Sequence, residues 1–146
     1  HQFDKVEIVQ ISNAEKSYQI LDEMVNHVSN LLQKLNLQFR VVKLCAGDLG
    51  FTSALTYDFE VYAPGQKKWL EVSSVSNFET YQSNRLNLKY MQENGESALC
   101  HTLNGSALAL PRIIVAILEQ HQKKNTITIP DILNKYLNFD KIMIPK

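Results

Sequence analysis

One stretch of the sequence has apolar residues at three- and four-residue spacing over about 20 residues, which is the pattern of an amphipathic α-helix. Its apolar positions are Ile20, Leu21, Met24, Val25, Val28, Leu31, Leu32 and Leu35. Ser12 and Asn13 precede this stretch, and both residue types favour the N-cap of a helix. A helix with one apolar face has to bury that face against a second layer of structure. We expect a β-sheet to be that layer.

Short segments in which apolar and polar residues alternate supply the candidate strands. They lie at residues 3–11, 39–45, 57–62, 69–75, 97–103 and 127–129. Leu86, Leu88 and Tyr90 also alternate with polar residues, and they lead into Asn94-Gly95, a strong β-hairpin signal. Strands joined by short turns pair antiparallel. The sequence therefore predicts an α+β fold in which helices flank an antiparallel β-sheet.

A second helix is predicted at residues 107–120, and a small one at 132–137 after the Pro130-Asp131 pair. The apolar stripe of the second helix consists of Ile113, Ile114, Ile117 and Leu118. Pro111 fits this helix only within its first turn, where the missing N–H costs little.

The charge balance limits what the chain can bind alone. It has 15 basic and 15 acidic residues, whereas a domain that grips nucleic acid by itself usually has a basic excess. Cys45 and Cys100 lie far apart without ligand-like neighbours, so we expect two reduced thiols in the core. There is neither a long apolar run nor a signal peptide, so we expect a cytoplasmic protein without membrane contact.

Familiar catalytic motifs are missing from the sequence. The four histidines are scattered and do not have zinc-ligand spacing. Gly47 and Gly50 fit neither phosphate-loop pattern, and no nucleophile elbow surrounds the serines at 73–76. Glu7 lies on a predicted strand, where a carboxylate is more often a solvated side chain than a catalytic group.

One local pattern does suggest a ligand. Residues 102–106 are predicted to end a strand and open a helix, and Arg112 follows on the first turns of that helix. Helix N-termini and arginine both suit phosphates, and Glu71 on a neighbouring strand offers a carboxylate to Mg²⁺. This combination suits a metal-bound nucleotide. The alternative is an arginine in a surface salt bridge.

Four segments carry a family resemblance. Residues 101–122, HTLNGSALALPRIIVAILEQHQ, resemble the third signature motif of class II aminoacyl-tRNA synthetases in its seryl form. Residues 70–90 resemble the preceding strand of seryl-tRNA synthetases, and residues 1–7, HQFDKVE, resemble the end of their second motif. Asp48-Leu49-Gly50 is similar to a Gly-Asp-x-Gly loop of the family. Together these segments cover nearly the whole chain in the family's order.

The resemblance to bacterial seryl-tRNA synthetases implies an activity. These enzymes use ATP and Mg²⁺ to convert serine to seryl-adenylate, and they then transfer serine to tRNA(Ser) as homodimers. The family's first motif, its motif-two arginine and its tRNA-binding coiled coil would precede His1. The resemblance thus implies that residues 1–146 are one domain, the C-terminal portion of the catalytic core. We expect this chain alone to be inactive.

The resemblance also assigns residues to ATP. Phe3 would stack on the adenine, and Arg112 would cover its other side and reach the γ-phosphate. Glu71 and Ser74 would lie at Mg²⁺ and the phosphates. Arg112 and Glu71 are the implied catalytic residues. Strict strand alternation puts Glu71 and Ser74 on opposite faces, so a bulge or a strand end is expected between them.

The serine site follows from the same motifs. Glu7 would contact the amino group or the hydroxyl of serine. Asn104 and Ser106 would line the pocket, with Ser106 bonded to the substrate hydroxyl. Buried polar groups of this kind reject a substrate that lacks the hydroxyl.

Two departures from the family accompany these matches. Residues 80–85, TYQSNR, replace a common Asp-Phe-Gln followed by two arginines, so Arg85 is left out of the site. Leu110-Pro111 replaces smaller residues before Arg112. Two other functions stay open: a synthetase-like ligase that loads a carrier protein, and a non-catalytic binding module that kept the fold.

Overall fold

The central element is a five-stranded sheet with strand order β1-β7-β4-β3-β2, in which every neighbouring pair is antiparallel. The computed structural model describes residues 2–144. His1, where the resemblance to the second motif begins, lies outside the described residues, as do residues 145 and 146. The sheet strands are β1 (Lys5–Ser12), β2 (Phe39–Lys43), β3 (Leu55–Ala63), β4 (Lys68–Asn77) and β7 (His101–Ala109).

Helices and short strand pairs complete the chain. The helices are α1 (Ser17–Lys34), α2 (Tyr81–Leu86) and α3 (Leu110–Gln120), and Asp131–Leu133 forms one 3₁₀ turn. Two small antiparallel pairs are β5 (Lys89–Met91) with β6 (Ser97–Leu99), and β8 (Thr126–Thr128) with β9 (Lys141–Met143). The predicted α+β class with an antiparallel sheet is confirmed.

Helices α1 and α3 pack on the same face of the sheet and bury its apolar side chains. The core contains the predicted stripe of α1 at Leu21, Met24, Val28 and Leu32, facing Phe59, Val61, Val75 and Leu103 of the strands. Side chains alternate along a strand, so the neighbours of these strand residues face the other way. That second face is left for polar groups.

The first helix begins later than its N-cap residues suggest. Asn13 Oδ1 accepts a bond from the Lys16 amide at 3.0 Å, which closes a turn before α1 begins at Ser17. In α3, Pro111 lies within the first turn as predicted. The predicted stripe of α3 is wrong in part, because Ile114 and Leu118 are exposed and Ala116 is buried instead.

The strand prediction at residues 86–90 is also wrong in part. Leu86 belongs to α2 and is 70% exposed, and Asn87, at φ 51°, ends that helix before β5 begins. The Asn-Gly hairpin is confirmed: Gly95 has φ 83°, and the Gln92 amide donates to the Glu96 carbonyl at 2.8 Å.

Several other boundaries differ. The predicted strand 97–103 is two strands, β6 and β7, and β7 continues to Ala109, so α3 starts at Leu110 instead of residue 107. The predicted helix at 132–137 is a single 3₁₀ turn. Cys100 is buried as expected, but Cys45 is exposed, and both are free thiols. Within the described residues, α1, α2 and α3 are all too short or too polar to cross a membrane.

Candidate active site

Opposite the helices, the sheet presents polar side chains from four neighbouring strands. We call this the polar face and define it by Glu7, Asp58, Glu60, Glu71, Ser74, Asn104 and Ser106. Cross-strand pairing joins Glu7 to Ser106 and Asp58 to Ser74. The face therefore brings together all the sheet residues that the family resemblance assigns to a site.

A β-bulge puts Glu71 and Ser74 on the same side of β4. Phe59 pairs with Ser73, yet the next residue, Glu60, pairs with Glu71, so Val72 is an extra residue in β4. Val72 turns into the core and is almost fully buried. The extra residue shifts the alternation by one position, which confirms the predicted bulge.

A second bulge lies on β7. Lys5 pairs with Ala109 and Glu7 with Ser106, so two residues of β7 oppose one residue of β1. Leu108 has φ 86°, an uncommon value for a leucine, and its side chain is buried in the core. This turn of the backbone brings the first turn of α3 next to Ser106.

The two bulges border one cavity of about 270 Å³, which we call the bulge cavity. It is lined by Phe3, Lys5, Glu71, Val72, Ser73, Ser106, Ala109, Pro111 and Arg112. Four predicted site residues thus converge there: Phe3, Glu71, Ser106 and Arg112. The other predicted residues lie outside its lining but on the same polar face.

Arg112 is anchored to β4 through the backbone. Its Nη1 donates to the Glu71 carbonyl oxygen at 2.5 Å. Among residues 2–144 the ion pairs are Lys5 with Glu7 and Arg40 with Glu60, so the alternative of a surface salt bridge for Arg112 is wrong. The guanidinium keeps further donors for a ligand.

A larger cavity, about 430 Å³, opens between β1 and α1 on the helix side of the sheet. Ile8, Gln10, Ile20, Glu23, Met24 and His27 line it. Its lining includes none of the predicted site residues and neither lysine nor arginine. The larger volume of this cavity therefore does not make it the candidate active site.

Comparison with known proteins assigns the family. The family model of the tRNA synthetase class II core domain (G, H, P, S and T) matches residues 1–121. The chain belongs to this family. The resemblance drawn from its motifs is thereby confirmed.

Individual relatives of this synthetase core domain are named serine–tRNA ligase or seryl-tRNA synthetase. A serine–tRNA ligase from Methylacidiphilum infernorum is 55% identical over 93% of this chain and 32% of the relative. A crystal structure of seryl-tRNA synthetase from Pyrococcus horikoshii complexed with ATP superposes with a TM-score of 0.95 at 40% identity. A cytoplasmic serine–tRNA ligase from Naegleria fowleri in complex with AMP gives a TM-score of 0.92 at 31% identity.

The chain is shorter than these relatives. It is covered completely by both structures, and it spans 33% of the Pyrococcus chain and 31% of the Naegleria chain.

Two carboxyl groups of the polar face, those of Glu71 and Asp58, have a raised pKa. Burial is the main cause of the raised pKa of Glu71, nearby Asp58 adds to it, and Arg112 opposes it. Burial likewise raises the pKa of Asp58, the Ser74 hydroxyl lowers it, and Glu60 and Asp48 raise it further. A cation at this face would relieve the repulsion.

The donor set here suits Mg²⁺ better than a transition metal. Glu71 and Ser74 offer oxygen ligands, and the buried Asp58 Oδ1 has no hydrogen-bond partner among the described residues. Within residues 2–144, no group of three or more His, Cys, Asp or Glu could hold a metal ion. Mg²⁺ needs only one or two carboxylates when a nucleotide supplies phosphate oxygens.

Sequence reasoning missed three residues of this site. Lys5 lines the bulge cavity and pairs with Glu7 at 2.9 Å, and its position two residues before Glu7 was the available signal. Asp58 was detectable because it is one of two acids, with Glu60, that alternate with apolar residues in a predicted strand. Gln82 was seen only as part of residues 80–85 and was given no role, because the alternation of residues 86–90 obscured α2. Its Oε1 accepts from Thr102 and Asn104.

Proposed function

We propose that this synthetase core domain is part of a serine–tRNA ligase. The enzyme would use ATP and Mg²⁺ to activate serine as seryl-adenylate and then transfer serine to tRNA(Ser). The observation that carries the proposal is the bulge cavity, where Phe3, Glu71, Ser106 and Arg112 converge. The serine–tRNA ligase name of the Methylacidiphilum relative and the ATP complex of the Pyrococcus synthetase support it.

The nucleotide would lie between Phe3 and Arg112. Phe3 is 59% exposed, and an exposed aromatic ring offers a flat face on which adenine can stack. Arg112 lines the same cavity and is held by the Glu71 carbonyl, so its planar guanidinium is available to the base and the phosphates.

Glu71 and Ser74 would hold Mg²⁺ beside the ATP phosphates. When bound, the ion would neutralise phosphate charge. The bulge at Val72 supports this role, because without it the two side chains would face away from each other. Asp58, opposite Ser74, adds negative charge that draws a cation to this part of the face.

Serine would lie toward β1 and the middle of β7. Glu7 and Ser106 are direct cross-strand partners, and Asn104 is two residues along on the same face. The Lys5 ammonium pairs with Glu7 Oε1 and orients this carboxylate. Glu7 can then accept from the substrate ammonium or hydroxyl, while Ser106 bonds the hydroxyl.

For this reaction the protein has to position the two substrates and stabilise the charge that develops on the phosphates. In the activation step, a serine carboxylate oxygen attacks the α-phosphorus, and the bond from this phosphorus to the pyrophosphate oxygen breaks. The electron pair leaves with pyrophosphate. Arg112 would stabilise the charge that develops there, and the polar face would hold the two substrates in line.

We also propose that the chain is the C-terminal part of the catalytic core of a cytoplasmic homodimer. Its net charge of zero supports the proposal that most of the contacts to tRNA(Ser) come from outside this chain.

Serine-dependent ATP–pyrophosphate exchange by the complete gene product tests the proposal. Arg112→Ala should lower the exchange rate about 100-fold, as expected for the loss of a charge that stabilises the transition state. Arg85→Ala is the matched control, because Arg85 is also exposed and its side chain contacts Tyr81 of its own helix, through the Tyr81 carbonyl and ring. It should stay within about threefold of wild type.

An unchanged rate in Arg112→Ala would contradict the proposed role of this residue. A wild-type protein without serine-dependent exchange would favour a non-catalytic module. Exchange that proceeds without charging of tRNA would favour a ligase for a carrier protein.

A further inference from the structure

We propose that Gln82 is a positioning residue for serine recognition. It fixes the side-chain amide of Asn104 so that Asn104 Oδ1 faces the substrate as a hydrogen-bond acceptor. This inference deepens the proposed function and rests on it.

The contacts of Gln82 define the orientation of the Asn104 side-chain amide. Its Oε1 accepts from Thr102 Oγ1 at 2.8 Å and from Asn104 Nδ2 at 3.3 Å. Thr102 is buried, so its hydroxyl needs a partner, and the Gln82 carbonyl oxygen supplies one. The same oxygen then attracts the NH₂ end of the Asn104 side chain.

With its NH₂ group held by Gln82, Asn104 directs its oxygen away from α2. Among the described residues, Asn104 Oδ1 accepts no hydrogen bond. Serine brings ammonium and hydroxyl donors, and an acceptor suits either one. A reversed amide would instead point donors at the ammonium, which has only donors. Gln82 therefore sets whether this part of the face attracts or repels serine.

Gln82 is itself held in place relative to β7. The Phe78 amide donates to the Thr102 carbonyl at 2.9 Å, and the Thr102 amide donates to the Glu79 carbonyl at 3.1 Å. These bonds tie the start of α2 to the strand that carries Asn104, so the position of the Gln82 side chain is well defined.

The lining of the bulge cavity does not include Gln82, so its effect on the reaction passes through Asn104. A residue of this kind should affect the binding of serine and leave ATP binding unchanged. A purely structural residue would lower stability without this selectivity.

The test uses the complete gene product and two variants. Gln82→Met keeps the length of the side chain and removes the acceptor, whereas Gln82→Glu keeps acceptor oxygens. In ATP–pyrophosphate exchange, Gln82→Met should raise the KM for serine about tenfold, the size expected for one lost hydrogen bond. Its KM for ATP and its kcat should stay within about twofold. Gln82→Glu should restore the KM for serine to within about threefold of wild type.

Ser83→Ala is the structural control. It removes a buried hydroxyl of α2, so it should lower Tm and leave the KM for serine unchanged. An unchanged KM for serine in Gln82→Met, or a Gln82→Glu variant as impaired as Gln82→Met, would overturn the inference while the proposed function stands. A wild-type protein without serine-dependent exchange would overturn both.

Discussion

Glu71 and Ser74 face the same side of β4 although three positions separate them, because Val72 is an extra residue in the pairing with β3. The bulge gives Val72 to the core and both polar side chains to the polar face. One inserted residue thus serves packing and the candidate metal site together.

Deleting Val72 should abolish serine-dependent exchange in the complete gene product, with a loss of at least ~100-fold. The deletion would restore regular alternation and turn Glu71 or Ser74 away from the other. Val72→Ala is the control, since it keeps the bulge and costs only about 2 kcal/mol of core packing. Equal exchange rates in the two variants would show that the bulge is not required.

Gly105→Ala should destabilise the fold by about 1–3 kcal/mol through overpacking. A Cβ on Gly105 would lie 2.8 Å from Val75 Cγ2 and 2.9 Å from Val75 Cα, and the backbone of β4 has little room to retreat. Gly50→Ala is the matched control, because a Cβ there meets no atom within 4 Å. Denaturant unfolding measures both, and equal free energies of unfolding would contradict the close approach of β7 to β4.

The raised pKa of Glu71 predicts a pH-dependent stability. In the pH range between its unfolded and folded pKa, the folded state binds more protons, so the free energy of unfolding falls as pH rises. The contribution is fully present below the unfolded pKa and is lost above the folded one. Glu71→Gln should therefore be more stable than wild type at pH 7 without Mg²⁺.

This difference between Glu71→Gln and wild type should shrink as pH falls below the usual carboxyl range. Thermal unfolding at several pH values would measure it, with Glu93→Gln in the exposed β5–β6 turn as control. A difference that is constant across pH would refute an electrostatic origin.

Ser106→Ala should weaken discrimination between serine and alanine. A pocket that bonds the substrate hydroxyl leaves its own polar groups unpaired when alanine binds, and Ser106→Ala removes that penalty. We expect the ratio of kcat/KM for serine to that for alanine to fall at least tenfold. Ser97→Ala, at the exposed first position of β6, should leave the ratio unchanged. An unchanged ratio in Ser106→Ala would remove Ser106 from the serine site.

The isolated chain of 146 residues should show no serine-dependent ATP–pyrophosphate exchange and should bind ATP weakly at most. It spans about a third of the length of its relatives, so most of the residues of those relatives have no counterpart in it. Calorimetry with ATP and the exchange assay would test this against the complete gene product. Exchange by the isolated chain at the rate of the complete protein would contradict the prediction.

Local patterns predicted the parts of the fold that local physics controls. The stripe from Ile20 to Leu35 specified α1 because an amphipathic helix needs no distant information. The Asn94-Gly95 turn specified its hairpin for the same reason. The bulge at Val72 was predictable only once the family resemblance had assigned both Glu71 and Ser74 to one site.

Other features depend on distant contacts. The helix predicted from residue 107 fails because Leu108 is drawn into the core at a positive φ, which pairing with β1 imposes. Helix α2 was missed because its short polar sequence is stabilised by bonds to Thr102 rather than by helix periodicity. Cys45 was expected inside, but the loop that carries it is exposed.

The bulges of β4 and β7 also affect how related sequences should be matched to this one. Each bulge reverses which odd- or even-numbered positions point inward for the remainder of its strand. A one-residue gap misplaced at Val72 or Leu108 would therefore exchange buried and ligand-facing positions. Sequence alignments used to compare substrate preference across the family should therefore place Val72 and Leu108 correctly first.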